Sequence, residues 1–263
     1  MGIIKRKKYE FTGKTKVITD LGSTESHTLH QIKALKDFRD IKAGYLGGWI
    51  EKEANLSQEG DCWVYSNARV YDDARVYGDA LVYDYAMVYG NVEVCDNAEV
   101  YGNAEVYGNA VVSATAKVYD GATIRGTANV YGNAQVYGAA WVGDNAQVCG
   151  HAQVYDGAIV RDTAKVCDEA EVYGDAMVCD SSEVHDIATI YGDAQVCDEA
   201  FIGGTAKVYD NARVYGNAWV SGDAQVCGNA QVLDEAIVRG NAIVTNNAVV
   251  SGKVEIFDDC RSI

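Results

Sequence analysis

Proline is absent from the 263 residues, histidine occurs only 4 times, and basic side chains are outnumbered 22 to 38 by acidic ones. A disordered chain of this length would be rich in proline and poor in apolar residues, whereas here the hydrophobic share is 48%. No apolar run is long enough for the core of a signal peptide or a membrane span, which predicts a soluble, cytoplasmic protein without membrane contact. Gly2 follows Met1, but Arg6 stands where a myristoylation signal wants Ser or Thr.

What is present is a period. From Asp61 to Asp258 the chain repeats one six-residue phrase, and 198/6 gives 33 hexads without insertion or deletion. The fourth position is always Val or Ile, and the second is Ala with exceptions such as Cys62, Val92, Ser182 and Val254. Ala-x-Val-Tyr alternates as a strand does, and the β-branched residues favour extended backbone. Gly, Asp, Asn and Thr at the sixth and first positions suit tight corners. Each hexad is therefore a short strand plus a corner. No hexad can bury its own apolar face, so the chain must coil and stack.

The fifth position counts the hexads per coil. Tyr fills 15 of the 33 fifth positions, yet stepping by 18 from Tyr65 gives Tyr83, Tyr101, Tyr119, Tyr137, Tyr155, Tyr173, Tyr191 and Tyr209 without a gap. Three hexads per coil place these residues above one another, and 33/3 gives 11 coils of a triangular prism. At ~4.8 Å between stacked strands the rod is about 50 Å long. The Tyr column reads as a structural ladder, with a surface for aromatic or sugar ligands as the alternative.

These hexads resemble the hexapeptide-repeat proteins, whose fold is a single-stranded left-handed parallel β-helix; the hand comes from that resemblance alone. The expected organisation is a cap with a degenerate first coil over 1–60, the β-helix over 61–258 and a tail over 259–263. Tyr9–Ile18 reads as a strand with a turn at Gly13, and a degenerate repeat begins near Leu29 with Ile32 and Phe38, then Ile50 and Leu56. The stretch from Leu29 to Tyr65, with DFRDIKAGYLGGW and LSQEGDCW, is similar to the N-terminal signature of the YdcK-like proteins, a bacterial hexapeptide-repeat family carrying an acyltransferase label. At the far end, charged Lys253, Glu255, Asp258 and Asp259 would blunt the last edge against strand addition.

Charge divides the chain. Residues 1–60 hold 11 basic and 8 acidic residues, net +3, and residues 61–263 hold 11 and 30, net −19. Lys5-Arg6-Lys7-Lys8 reads as a solvated basic start near an acidic rod rather than a nucleic-acid element. The 8 Cys fall mostly at outward fifth positions and, without a signal peptide, are expected as free thiols.

Three clusters carry candidate chemistry. Cys149 and Cys167 stack one coil apart and lead to His185, with His151 at the corner beyond Cys149; Cys179 and Cys197 stack likewise. Cys and His are soft ligands, but a straight column is not a tetrahedron, so a structural role outweighs a metal site. Asp144, Asp162, Asp180 and Asp198 form an acidic column, read as turn caps or else as a cation site. Trp141, Ile159 and Met177 form one outward apolar stripe, and Phe201, Trp219 and Ile237 another; such stripes on a rod mark an interface.

For function, the resemblance implies a homotrimeric acyltransferase with acyl-CoA along the prism and His151 or His185 as general base. Enzymes of that group extrude a loop from the coils and add a C-terminal helix, and this sequence does neither. The preferred reading is a non-catalytic scaffold without cofactor, a homo-oligomer (a trimer by resemblance) that presents flat faces to a protein partner. A third reading is an acidic rod that mimics nucleic acid; direct binding of nucleic acid is not expected, and no regular Thr array supports ice binding.

Overall fold

The computed structural model describes residues 7–19 and 25–257. Among them are 36 strands, one 3-10 turn at Glu53–Asn55 and no α-helix. From Trp63–Val64 to Glu255–Phe257 a strand of two or three residues recurs every six residues. Each pairs in parallel with the strand three hexads on: Val64 with Val82, Val70 with Val88, Val76 with Val94. The 18-residue coil implied by the Tyr spacing is the one observed. Three sheets of 14, 11 and 11 strands result. Face one carries Arg69–Val70 through Val249–Val250, face two Arg75–Val76 through Glu255–Phe257, and face three Trp63–Val64 through Ile243–Val244.

The core follows from the alternation. Every second and fourth residue from Cys62 to Val244 is buried. Ser182 is the polar residue in that column, and its hydroxyl lies 2.7 Å from the Cys179 carbonyl and 3.1 Å from that of Val196. Backbone groups pair along the rod, as Trp63 N–H donates to Ala80 C=O at 3.0 Å and Tyr65 N–H to Val82 C=O at 2.8 Å. The solenoid thus satisfies its polar backbone coil by coil.

Corners explain the sixth position. Every sixth residue from Ser66 to Gly252 has positive φ. That left-handed turn suits Gly and is tolerated by Asp and Asn. At most Asp corners the carboxylate accepts the N–H of the corner residue one coil on, as Asp84 does from Gly102 at 3.2 Å and Asp210 from Gly228 at 3.0 Å.

The cap closes the first coil. Strand β1 (Tyr9–Thr19) pairs antiparallel with β2 (Ser26–Ala34), with an irregular step between Phe11 and Thr15 around Gly13, which has φ +86. Strand β3 (Leu46–Ile50) is antiparallel to β2 and parallel to Arg69–Val70, so β2 and β3 link the cap to face one. Ile50 pairs with Val70 and Leu56 with Val76, so the cap adds one more turn whose step is 20 residues rather than 18. Ile50 and Leu56 therefore belong to the coil, but Ile32 and Phe38 do not: Ile32 lies in β2 and Phe38 in the loop that follows, bridged to Ile41.

The GGW element is a close approach. A Cβ at Gly47 would lie 2.6 Å from Trp63 Cζ2, and one at Gly48 would lie 2.8 Å from the Ala68 and Tyr65 carbonyls. Trp63, fully buried, packs edge-on against Tyr9 and Phe38. Lys8 overturns the reading of a solvated basic start. Its ammonium is buried against the carbonyls of Glu59, Gly60 and Cys62 at 3.3, 3.2 and 2.9 Å, and sits 3.1 Å from Cys62 Sγ. Acceptors left over at the mouth of the first coil require a donor there, and Lys8 supplies it; burial lowers its pKa. Lys7 pairs with Glu53 at 2.7 Å, and Lys5 and Arg6 lie outside the described residues. At the other end Lys253 pairs with Glu235 and Arg239 with Glu255, while Asp258 and Asp259 lie outside the described residues.

Candidate functional site

The corner between faces two and three carries Cys149, Cys167 and His185 at successive fifth positions. The stack brings the Cα atoms of Cys149 and Cys167 to 4.6 Å, and the two sulfurs form a disulfide. Cys179 and Cys197 form a second one at the corner between faces one and two. This corrects the expectation of free thiols: the spacing between coils coincides with the Cα separation that a disulfide needs. It also removes the Cys149–Cys167–His185 metal reading, since a bridged sulfur is not a thiolate ligand. Cys62, Cys95 and Cys227 are the free thiols among the described residues, and all three are buried. Cys95 and Cys227 were expected to point outward; stacked neighbours in the column cover so short a side chain.

His185 is held by two acids. Its Nδ1 lies 3.3 Å from Asp168 Oδ2 and its Nε2 3.2 Å from Glu183 Oε2, and its ring stacks on Phe201. A hydrogen bond from Lys165 keeps the Glu183 carboxyl below its usual range. A shallow groove of about 360 Å³ lies beside it, lined by Asp168, Asp186, Ile187 and Thr205 among others. His151 sits exposed on the same corner, with Nε2 3.3 Å from the Asn133 amide. The two histidines are two coils apart, roughly 10 Å along the axis, with the disulfide rung between them. They do not converge on one site. An imidazole between carboxylates can move a proton, but acyl transfer also needs donors for an oxyanion. The nearby backbone N–H groups already point into the next coil, as Cys167 to Val184 and Glu169 to Asp186 do.

The acidic column is a ladder of turn caps. Asp144 accepts the Asp162 N–H at 3.5 Å, Asp162 that of Asp180 at 3.2 Å, Asp180 that of Asp198 at 3.2 Å and Asp198 that of Gly216 at 2.9 Å. Each carboxylate is turned toward backbone, and Arg161 sits 3.2 Å from Asp162.

The Tyr column runs between faces three and one, and its members are half-buried rather than exposed. From Tyr83 to Tyr209 the rings stack with centroids 4.6–5.1 Å apart and planes within 9° of parallel. Tyr65 meets Tyr83 edge-on instead, because its hydroxyl reaches Asp40 and its ring packs against Tyr45. Hydroxyls donate across to the third position one coil on, as Tyr83 to Glu99 at 2.8 Å and Tyr137 to Gln153 at 3.2 Å. From Tyr83 to Tyr209 the ring faces cover one another, so along that run a ligand meets only edges.

Both apolar stripes are continuous. Trp141, Ile159 and Met177 are in register on face one, and Phe201, Trp219 and Ile237 on face two. Arg125 covers Trp141, its guanidinium 4.0 Å from the ring, whereas Trp219 stacks on Phe201 at 4.2 Å and stays 46% exposed.

One cluster escaped the sequence. His27, Glu51 and Asp72 converge where the cap meets the first corner. No multiple of 18 links them, because Glu51 and Asp72 are 21 residues apart across the longer first turn. Only the cap's antiparallel pairing brings His27 in.

Comparison with known proteins bears on this geometry. A family model described as the YdcK β-solenoid repeat matches residues 68–84, 74–90 and 206–222. A 44-residue stretch, 17% of this chain, is 50% identical to a segment spanning 14% of the protein named "Uncharacterized acetyltransferase YdcK" of Escherichia coli (strain K12). With three parallel sheets of 18-residue coils beneath a cap, the chain has a β-solenoid fold, and three of its segments match the YdcK β-solenoid repeat.

Proposed function

We propose that this solenoid is a non-catalytic scaffold that presents its flat faces to a protein partner and works as a homo-oligomer. The observation that carries this reading is the unbroken stack. Corner after corner from Ser66 to Gly252 takes the same left-handed turn, and backbone donors along the coils are used by the next coil. Flat faces offer area rather than an enclosed pocket, which suits a macromolecule more than a small substrate. The stripe of Phe201, Trp219 and Ile237 is the contact between copies, and a trimer is the arrangement that the hexapeptide-repeat resemblance suggests.

A second reading has its own support. The name of the Escherichia coli relative and the placing of His185 between Asp168 and Glu183 favour a CoA-dependent acetyltransferase. Calorimetry with acetyl-CoA separates the two. The scaffold reading expects no heat of binding at micromolar protein. Micromolar binding that is lost in His185→Ala would replace it with the enzyme.

A further inference from the structure

At the cap end of the rod three side chains from separate segments meet. His27 lies in β2 and is 4% exposed, Glu51 follows β3, and Asp72 holds the first corner of face one. The imidazole Nδ1 is 3.0 Å from Glu51 Oε1 and 3.4 Å from Asp72 Oδ1, and one ligand atom from each of the three residues lies within 4.8 Å of the other two. Tyr71 packs on the imidazole with centroids 4.9 Å apart.

The carboxylates are aimed by backbone. Asp72 N–H donates to Glu51 Oε2 at 2.7 Å, and Gly90 N–H donates to Asp72 Oδ2 at 3.1 Å. Each acid thus spends one oxygen on a fixed donor and turns the other toward the same imidazole nitrogen. Outer donors of this kind orient ligands in metal sites. Lys52, whose side chain lines the same cavity, is occupied by Asp73 at 2.6 Å. Asp144 to Asp198 continue the column of Asp72 in steps of 18 residues and no histidine joins them, while His185 meets Asp168 and Glu183 through opposite ring nitrogens and so gathers no convergent set. The cluster opens into a cavity of about 550 Å³ whose lining includes Ser26, Lys52, Asp73 and Asn91, which leaves room for water on the open side.

The geometry points to a divalent-cation site built from His27 Nδ1, Glu51 Oε1 and Asp72 Oδ1. Ligands about 2.0–2.1 Å from a tetrahedral ion sit roughly 3.3 Å apart, close to the two distances from the imidazole Nδ1 to the carboxylates. One imidazole with two carboxylates suits a borderline ion such as Zn²⁺ or Mn²⁺, with water completing the shell from the cavity. In its absence the contact between imidazole and acids is kept by a proton on Nδ1, and the ion takes that proton's place. The site joins the end of β3, the cap hairpin and the first corner. A bound ion therefore clamps the cap to the rod. None of this depends on the scaffold reading.

The test uses the full chain stripped with EDTA. Titration with Zn²⁺ by calorimetry, and with Co²⁺ by absorption, should show one equivalent bound at micromolar or tighter affinity, and Zn²⁺ should raise the unfolding temperature. Glu51→Gln and Asp72→Asn keep an acceptor for each backbone donor and should retain the β-sheet circular dichroism. Both should weaken binding by more than about tenfold, as should His27→Gln where it folds. Asp162→Asn, in the corner ladder, should bind as the parent does. No binding below millimolar Zn²⁺, equal binding by Glu51→Gln and parent, or a thiolate-to-cobalt charge-transfer band placing the ion on cysteine would each overturn the site.

Discussion

One residue position controls the corners. The sixth residue of each hexad must take a left-handed turn, and Asp162, with φ 62, does so while its carboxylate receives the Asp180 N–H at 3.2 Å. Asn can do both without charge, and Asn246 already holds such a corner at φ 62. Asp162→Asn should therefore change stability by less than about 0.5 kcal/mol, the scale of surface substitutions. Asp162→Ala loses the acceptor and puts a Cβ without local hydrogen bonding into the left-handed region, which costs about 1–2 kcal/mol. Denaturant unfolding of the pair checks this, and equal loss in both would show that charge, not the turn, matters at this position. The cysteines make a related point. Their columns were legible in the sequence, but the bond was not, because compartment arguments say nothing about two sulfurs held one coil apart.

Elements show where period-based reading stops. Within the coils the spacing of Val, Ala and Tyr predicts face, register and column, because every step is 18 residues. At the cap the step becomes 20 and antiparallel strands enter, so neither the burial of Lys8 nor the meeting of His27 with Glu51 could be counted out along the chain. The glycines of the cap were visible as a motif whose reason is steric. Gly48→Ala would push a methyl to 2.8 Å from two carbonyls, and overpacking of this kind costs about 1–3 kcal/mol. Thermal unfolding should fall accordingly, whereas Gly13→Ala, where nothing lies within 4 Å of a Cβ, tests φ strain alone. The Tyr column makes a prediction about pH. Burial pushes Tyr65 and Tyr101 up to about 12 and raises Tyr119, Tyr137, Tyr173 and Tyr191 as well. A folded phenol that keeps its proton above the unfolded value near 10 stabilises the fold fully below pH 10. That contribution is lost as pH climbs from 10 through the folded values. Absorbance at 295 nm should show tyrosinate appearing together with loss of the β-sheet signal. Ionisation near pH 10 with the sheet signal unchanged would mean that the column is open to solvent.

The whole molecule is a stiff rod with a formal charge of −16, and like charges keep copies apart unless an apolar contact overcomes them. Two stripes could do so, and their exposure decides between them. Trp141 is covered by Arg125, and charge at its edge makes it a poor seed for a dry contact. Trp219 is 46% exposed, rests on Phe201 and continues to Ile237, with Ile243 and Val249 of the other two faces also exposed at that end of the rod. An exposed Trp beside two further apolar residues is the composition of an interface hot spot, where truncation costs about 2 kcal/mol or more. Trp219→Glu adds charge to an already acidic surface and removes the anchor, while the inward Ala218 and Val220 keep the coil packed. Light scattering at micromolar concentration should find the parent as an oligomer and Trp219→Glu as a monomer with an unchanged circular dichroism spectrum. Trp141→Glu should leave the assembly intact. A parent that runs as a monomer, or an assembly lost in Trp141→Glu but kept in Trp219→Glu, would move the contact off face two.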